Sequence, residues 1–296
     1  MDYYKVIKNQ LINNEITKKI KDYAKNKSDL TTYFEVGKLL NDAGKHYGEG
    51  IIKKYSIKLT NELGKKYNER MLRKIRQFYV LFSKQKWSTM SAVLSWSHYL
   101  ELISLNDYNE INYYIKISIK NNLSVRELRQ KIKNREYQRL DDTTKNKLIK
   151  HEQTIVSDFI KNPIVIKNSY PDIDISEKML KKLILEDIYS FMSELGEGFC
   201  FIKDEYKIKI GGKDNFIDLL LFNYIYNCFI IVELKVTELK KEHIGQLQVY
   251  MNFVDENVRI VGQDKTIGII ICKYDNKFYI KYSSDDRIYS TTYLLT

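Results

Sequence analysis

Asp218, Glu233 and Lys235 are the residues whose types and spacing can do chemistry. They lie within 214–235, DNFIDLLLFNYIYNCFIIVELK. There two apolar runs, FIDLLLF and CFIIVELKV, flank a short polar connection, the pattern of adjacent strands in a hairpin. Side chains two apart on a strand share a face, so Glu233 and Lys235 emerge together while Leu234 turns back toward the core. If the strands pair, Asp218 falls near them. Two carboxylates and a lysine carried at the ends of apolar strands are what a metal-dependent phosphodiesterase needs. The carboxylates hold Mg²⁺, and the lysine orients the water or neutralises the developing phosphorane charge. A solvated strand end would carry the same three residues, so the surrounding elements have to decide.

Those elements form an orderly series. Helix 176–195 carries Leu180, Leu183, Ile184, Ile188, Phe191, Met192 and Leu195 on one stripe, with Gly196 at its stop position. At ~100° per residue, Asp187 and Glu194 fall on the edge of that stripe and Glu186 points further away. An acidic residue leaning toward a core needs a cation or a metal there. Glu194 is therefore the candidate third carboxylate and Asp187 the fallback. Strands GFCFIKDEY and YKIKIGG follow, then the central pair. Helix 238–254 comes next, with Ile244, Leu247, Met251 and Val254 inward and Gln246 one step off that face. TIGIIICKY is a further buried strand, and FYIKYS an optional edge strand. This order gives an α/β sandwich, a mixed sheet flanked by helices.

The first half is of a different kind. Residues 1–140 contain no proline and read as helices, the first clear pair being Ser28–Leu40, with Ser28 as its N-cap, and Gly50–Leu63. In NERMLRKIRQFYVLF, Met71, Ile75, Phe78, Tyr79 and Phe82 recur on one face, while Arg70, Arg73, Lys74 and Arg76 occupy the opposite arc. Phosphates demand positive charge and base edges favour arginine, so this helix suits a duplex, though solvated surface cations would look the same. Trp87, Trp96, Tyr99 and Leu100 read as core packing, and His98 as a satisfied partner within it. Ser124 and Glu127 form a capping box. It opens the most basic helix, which carries Arg126, Arg129, Lys131, Lys133, Arg135 and Arg139. The polar stretch DDTTKNKLIK (141–150) reads as a junction. Both prolines lie in NPIVIKNSYPDIDIS beyond it. The expected division is a helical, basic, DNA-binding domain over 1–145 and a nuclease-like domain over 146–296.

Charge follows that division. Residues 1–150 hold 31 Lys and Arg against 16 Asp and Glu, whereas residues 151–296 hold 18 against 22. Lysine-rich composition alone would not move the acidic residues into the second half, so a docking domain joined to a carboxylate-bearing one is the better reading. Cys200, Cys228 and Cys272 are far apart and the four histidines are dispersed. That excludes a disulfide framework, a zinc knuckle and a His-based metal site. With no long apolar run and no signal core, a cytoplasmic protein with no membrane partner is expected.

Many stretches, in order, resemble the YhcG family of PD-(D/E)XK nuclease-like proteins. In the first half these are VGKLL, YGEGIIKKYSIKLTNELGKKYNERMLRKIRQFYVLF, LSWSHYLELI and NNLSVRELRQKIKNREYQRL. In the second they are FMSELGEGFCF, NFIDLLLFN, IVELKVTELKKEHIGQLQVYMN and TIGIIIC. The resemblance implies an α+β two-domain protein, an all-α DNA-binding region followed by an α/β restriction-endonuclease-like domain. It implies Asp218, Glu233 and Lys235 as the catalytic set, Gln246 as an accessory glutamine, and Glu194 at the acidic position of the first helix. Asp218 and Glu233, helped by the backbone carbonyl of Leu234, would hold Mg²⁺ or Mn²⁺. Arg70, Arg73, Lys74, Arg76, Arg126 and Arg129 would meet nucleic acid. Two departures stand out. Ile217 replaces the proline before the aspartate, and Lys203-Asp204-Glu205 stands where family members often have a Gly-Arg-Gln-like turn. The expected activity is metal-dependent hydrolysis of DNA phosphodiesters, with branched or damaged DNA and RNA left open as substrates. A second copy of the chain and a restriction–modification or defence complex are the partners considered. The rival expectation is an idle nuclease fold that binds DNA or assembles with a partner.

Overall fold

The structure, a computed structural model, describes residues 2–20, 25–83, 94–283 and 285–296. Trp87 lies outside the described residues. The chain divides into two compact units, 1–133 and 134–296.

The first unit is helical among its described residues: α1 (Tyr3–Ile20), α2 (Lys25–Tyr47), α3 (Gly50–Leu63), α4 (Glu69–Phe82), α5 (Trp96–Leu102), α6 (Tyr108–Lys120) and α7 (Val125–Lys133). Helix α2 already runs at Lys25, ahead of the start expected at Ser28. Asn68 caps α4 by accepting the Met71 N–H at 3.0 Å. From that start, Leu72, Ile75, Phe78 and Phe82 recur at helical spacing and are all buried. Helices α2 and α4 meet closely at Gly37, where a Cβ would lie 2.5 Å from the Ile75 carbonyl oxygen. Trp96 packs on Tyr33 and Phe78, and Tyr99 on Phe78 and Phe82, as expected of core aromatics. His98 is satisfied on both ring nitrogens, by Ser95 Oγ at 2.8 Å and the Leu123 carbonyl at 2.9 Å. The Ser124–Glu127 capping box is present at the start of α7. That helix ends at Lys133, and Arg135 takes a left-handed φ of 53°. The single basic helix expected through Arg139 therefore does not form.

The second unit opens with α8 (Asp142–Lys150), so the polar stretch expected as a junction is helical. There follow β1 (Ile164–Ile166), α9 (Glu177–Glu186), α10 (Ile188–Leu195), β2 (Phe199–Ile210), β3 (Lys213–Asn223) and β4 (Cys228–Glu238). The remainder is α11 (Lys241–Asn257), β5 (Asp264–Tyr274), α12 (Lys277–Lys281) and β6 (Ile288–Leu295). The sheet order is β1-β6-β5-β4-β3-β2. Strands β2, β3 and β4 pair antiparallel, while β4–β5, β5–β6 and β1–β6 are parallel. The mixed sheet carries helices on both faces. Leu180, Leu183 and Ile184 of α9 and Phe191 and Leu195 of α10 pack with Leu219, Val232, Leu234 and Ile271. Leu247, Met251 and Val254 of α11 pack with Leu220, Ile231 and Ile270.

Three local expectations are corrected. Helix 176–195 is broken at Asp187 (φ −134°, ψ 55°), whose side chain caps α10 through the Ser190 N–H at 3.2 Å. FYIKYS is not an edge strand, because Lys277–Lys281 is a short helix, and the sheet continues beyond β5 through β6 to the edge strand β1. GFCFIKDEY and YKIKIGG are one strand, β2, with a bulge between Phe201 and Lys203. No described helix is long and apolar enough to cross a membrane.

Candidate active site

The β3–β4 ladder runs from Asn223 opposite Cys228 to Leu219 opposite Val232, and stops. One rung further would set Asp218 against Glu233, a pair of like charges, which disfavours pairing. The Asp218 carboxylate instead accepts the Leu234 N–H at 3.0 Å through Oδ2. The backbone donor left over where the ladder ends is thereby satisfied by the carboxylate itself. Leu234 is fully buried in the core on one face of the sheet, which turns its flanking residues to the opposite face.

Glu233 is only 2% exposed. Its Oε2 lies 3.4 Å from the Lys235 Nζ, while Oε1 is buried with no hydrogen-bond partner among the described residues. Burial first, and then the charge of Asp218, push its pKa up to about 7, against a weaker downward pull from Lys235. Lys235 also lies 3.7 Å from Glu177 Oε2.

Glu177 opens α9, where Ser176 caps the helix by accepting the Met179 N–H at 3.1 Å. Lys181 follows at i+4 and so shares its face. Its Nζ donates to Glu205 Oε1 at 2.7 Å and to Asp218 Oδ1 at 3.3 Å. Burial pulls the Lys181 pKa down, but the Glu205 hydrogen bond and the Asp218 charge carry it above its ordinary value. Sequence reasoning missed Glu177, Lys181 and Glu205. The first two had a legible signal, an acidic and a basic residue at i and i+4 directly behind a serine cap. Reading one unbroken helix drew attention to its far end instead.

An unpartnered buried carboxylate oxygen beside a second carboxylate and an ammonium fits a divalent cation, which takes oxygen donors. Among the described residues, no group of three or more His, Cys, Asp and Glu gathers as a metal cage. Asp218 and Glu233 would thus be the protein's carboxylate share. Mg²⁺ suits such a site, since it keeps several waters and binds through one or two carboxylates.

Comparison with known proteins bears on the family of the chain. Residues 157–294 match the family model described as the YhcG PDDEXK nuclease domain, and residues 9–139 match the DUF1016 N-terminal domain. The chain belongs to the YhcG family of PD-(D/E)XK nuclease-like proteins. Among its relatives is the Escherichia coli (strain K12) protein named "Putative nuclease YhcG". The two are 25% identical over 288 residues, covering 81% of this chain and 76% of that one. Solved structures similar to it include a repair endonuclease from Pyrococcus abyssi (20% identity, TM-score 0.30). That match covers 42% of this chain and 49% of the other. EndoMS in complex with dsDNA is 20% identical at a TM-score of 0.31, with coverages of 42% and 48%. The match thus spans about half the length of those two chains.

In this member of the YhcG family, the other expected site residues make their hydrogen bonds to groups other than Asp218, Glu233 and Lys235. Glu194 is buried and paired with Arg139, whose Nη1 donates to Oε2 and whose Nη2 donates to Oε1 at 3.0 Å. The Val165 N–H adds a bond to Oε2 at 2.9 Å. Burial alone would raise its pKa, but the Arg139 hydrogen bonds, the Lys161 charge and the Val165 N–H lower it. The cation that a core-leaning acid needs is thus an arginine. Asp187, the fallback, is the α10 cap. Gln246 is on α11, where its Nε2 donates to the Tyr250 hydroxyl at 2.8 Å. His243, one turn before it, feels the charge of the site. Burial first, and then the Lys235 charge, hold its pKa below the ordinary value.

The six cations assigned to nucleic acid fall into two groups. Arg73 pairs with Glu69 at 2.7 Å, Arg76 with Glu49 at 2.7 Å, and Arg129 with Glu101 at 2.8 Å. Arg70, Lys74 and Arg126 have no carboxylate partner among the described residues.

Proposed function

We propose that this chain is a divalent-metal-dependent nuclease that hydrolyses DNA phosphodiester bonds, with Mg²⁺ or Mn²⁺ held by Asp218 and Glu233. The observation that carries the reading is the Glu233 Oε1 atom, buried beside Asp218 and Lys235 with no hydrogen-bond partner among the described residues. When bound, the divalent ion supplies Lewis-acid polarisation of the phosphate and an activated water. The chain's own residues do the rest. Lys235, tethered between Glu233 and Glu177, presents an ammonium to orient the attacking water and offset charge on the phosphorane. The Leu234 N–H keeps Asp218 turned toward the site. Gln246 would act as an accessory group through its Oε1, since its Nε2 donates to the Tyr250 hydroxyl.

The helical unit is assigned the docking role, through Arg70, Lys74 and Arg126 before their carboxylate-paired neighbours. Its excess of Lys and Arg supports this, as does the nuclease description of the matched domain and of the relative. A second copy of the chain would supply the second cut of a duplex.

One observation favours the rival reading of an idle nuclease fold acting through DNA binding or a partner. The Lys181 ammonium already neutralises part of Asp218. Cleavage assays on supercoiled plasmid, linear duplex, branched junction, single strand and RNA, with Mg²⁺ or Mn²⁺, separate the two. Cleavage lost in Glu233→Ala supports the nuclease. Salt-sensitive DNA binding with every nucleic acid left intact supports the idle fold.

A further inference from the structure

Lys181 has no part in the chemistry proposed above, yet its side chain is only 13% exposed. A lysine at a solvated helix face keeps its ammonium in water. This one is drawn between carboxylates on two adjacent strands, 2.7 Å from Glu205 and 3.3 Å from Asp218. The rungs Asp204–Leu219 and Tyr206–Ile217 flank the position where Glu205 faces Asp218 across β2 and β3. Glu205 sits there at a φ of +43°, a left-handed conformation uncommon for a side-chain-bearing residue. With the Leu234 N–H on Oδ2, both Asp218 oxygens have a donor, and Glu233 Oε1 is the oxygen of the pair left without one.

We propose that the Lys181 ammonium, held by Glu205 against Asp218, is a built-in second cation, so that this site takes one divalent ion and not two. The inference rests on the nuclease reading of the same site. Two-metal phosphodiesterases set their ions about 3.5–4 Å apart. An ammonium already 3.3 Å from Asp218 Oδ1 stands where a second ion would share that carboxylate, and like charges at such range repel strongly. The donor supply agrees, since no cage of three or more ligating side chains gathers among the described residues. An ammonium has three donors. Two reach Glu205 and Asp218, which leaves one for a phosphate oxygen.

The test is Mn²⁺ binding to the full chain, by calorimetric titration and by counting free Mn²⁺ with electron paramagnetic resonance. Wild type is expected to bind one Mn²⁺ per chain. Lys181→Met, which keeps the stem and removes the charge, is expected to bind a second ion, or the first at least tenfold tighter. Glu205→Gln moves in the same direction by less. Two ions on wild type, or unchanged binding in Lys181→Met, overturns the proposal. If Lys181→Met fails to fold by circular dichroism, Glu205→Gln decides, and unchanged binding there overturns it. Cleavage measured on the same preparations keeps the two readings apart. One Mn²⁺ per chain with no cleavage of any nucleic acid removes the nuclease and leaves the resident cation standing. Cleavage with two Mn²⁺ per chain does the reverse, and uptake by none of the three proteins overturns both.

Discussion

Lys235 reaches one oxygen of Glu233 at 3.4 Å and leaves the other buried and bare. The pairing is incomplete, so burial keeps the Glu233 pKa at about 7, well above the ordinary 4.5. The folded protein therefore holds a proton that the unfolded chain releases between these values. By linkage, stability is greatest below about pH 4.5 as far as this group is concerned, and is lost as pH rises to about 7. The shift corresponds to about 3 kcal/mol at most. Glu233→Gln should then raise the melting temperature at pH 8 and flatten its dependence between pH 5 and 8. Mg²⁺ should stabilise wild type at pH 8 but not the variant. A wild-type melting temperature that is flat across this window would contradict the assignment.

Glu194 and Arg139 make the opposite prediction. Their pair is nearly closed to solvent, with side chains 7% and 10% exposed. Removing one partner leaves the other charge buried, which costs about 3–5 kcal/mol. Glu194→Gln should therefore lower the melting temperature while leaving Mn²⁺ binding at Asp218 and Glu233 unchanged. Calorimetric titration of the folded variant checks this, and a variant that melts normally but loses its metal would restore Glu194 to the site.

What the sequence made legible follows from what each signal depends on. Glu233 and Lys235 were readable as a pair because strand parity is local: Leu234 on one face of β4 puts both neighbours on the other. Glu194 was correctly placed on the core side, but its partner, Arg139, is 55 residues earlier. No periodicity links residues that far apart. Helix phase failed for a local reason, since Asp187 reads as one more helical residue until its side chain caps a new helix. Glu177 and Lys181 share the face that such a restart leaves beside β3 and β4, and were overlooked. The cationic arc on α4 was legible as charge, but its neutralisation was not. Glu49 and Arg76 meet only because α3 and α4 are folded together.

That neutralisation separates two sets of cations. An arginine already paired, as Arg76 is through Nη1 with both oxygens of Glu49, must loosen that pair before gaining a phosphate. Arg70, Lys74 and Arg126 have no such partner among the described residues. Each phosphate contact contributes about 0.9 to the slope of log K against log salt for duplex DNA. Replacing Arg70 and Lys74 together by alanine should reduce the slope by about 2 and weaken all sequences alike. Arg76→Ala should change the slope by much less. Fluorescence anisotropy across a salt series reads both, and equal slopes for the double variant and wild type would remove α4 from the interface.

Gly37 tests the helical unit without touching charge. A Cβ there would lie 2.5 Å from the Ile75 carbonyl oxygen and 2.7 Å from the Tyr79 Cβ. Both belong to α4, and neither is the end of a flexible side chain, so the helices must separate to admit a methyl group. Overpacking of this kind costs about 1–3 kcal/mol, more than the gain of up to about 1 kcal/mol that alanine brings over glycine in a helix. Gly37→Ala should therefore lower the stability of the helical unit, read by denaturant unfolding. Because α4 carries Arg70 and Lys74, the same displacement should weaken DNA binding while leaving Mn²⁺ uptake at Asp218 and Glu233 intact. A stabilised variant would mean that α2 and α4 do not approach as closely as this geometry requires.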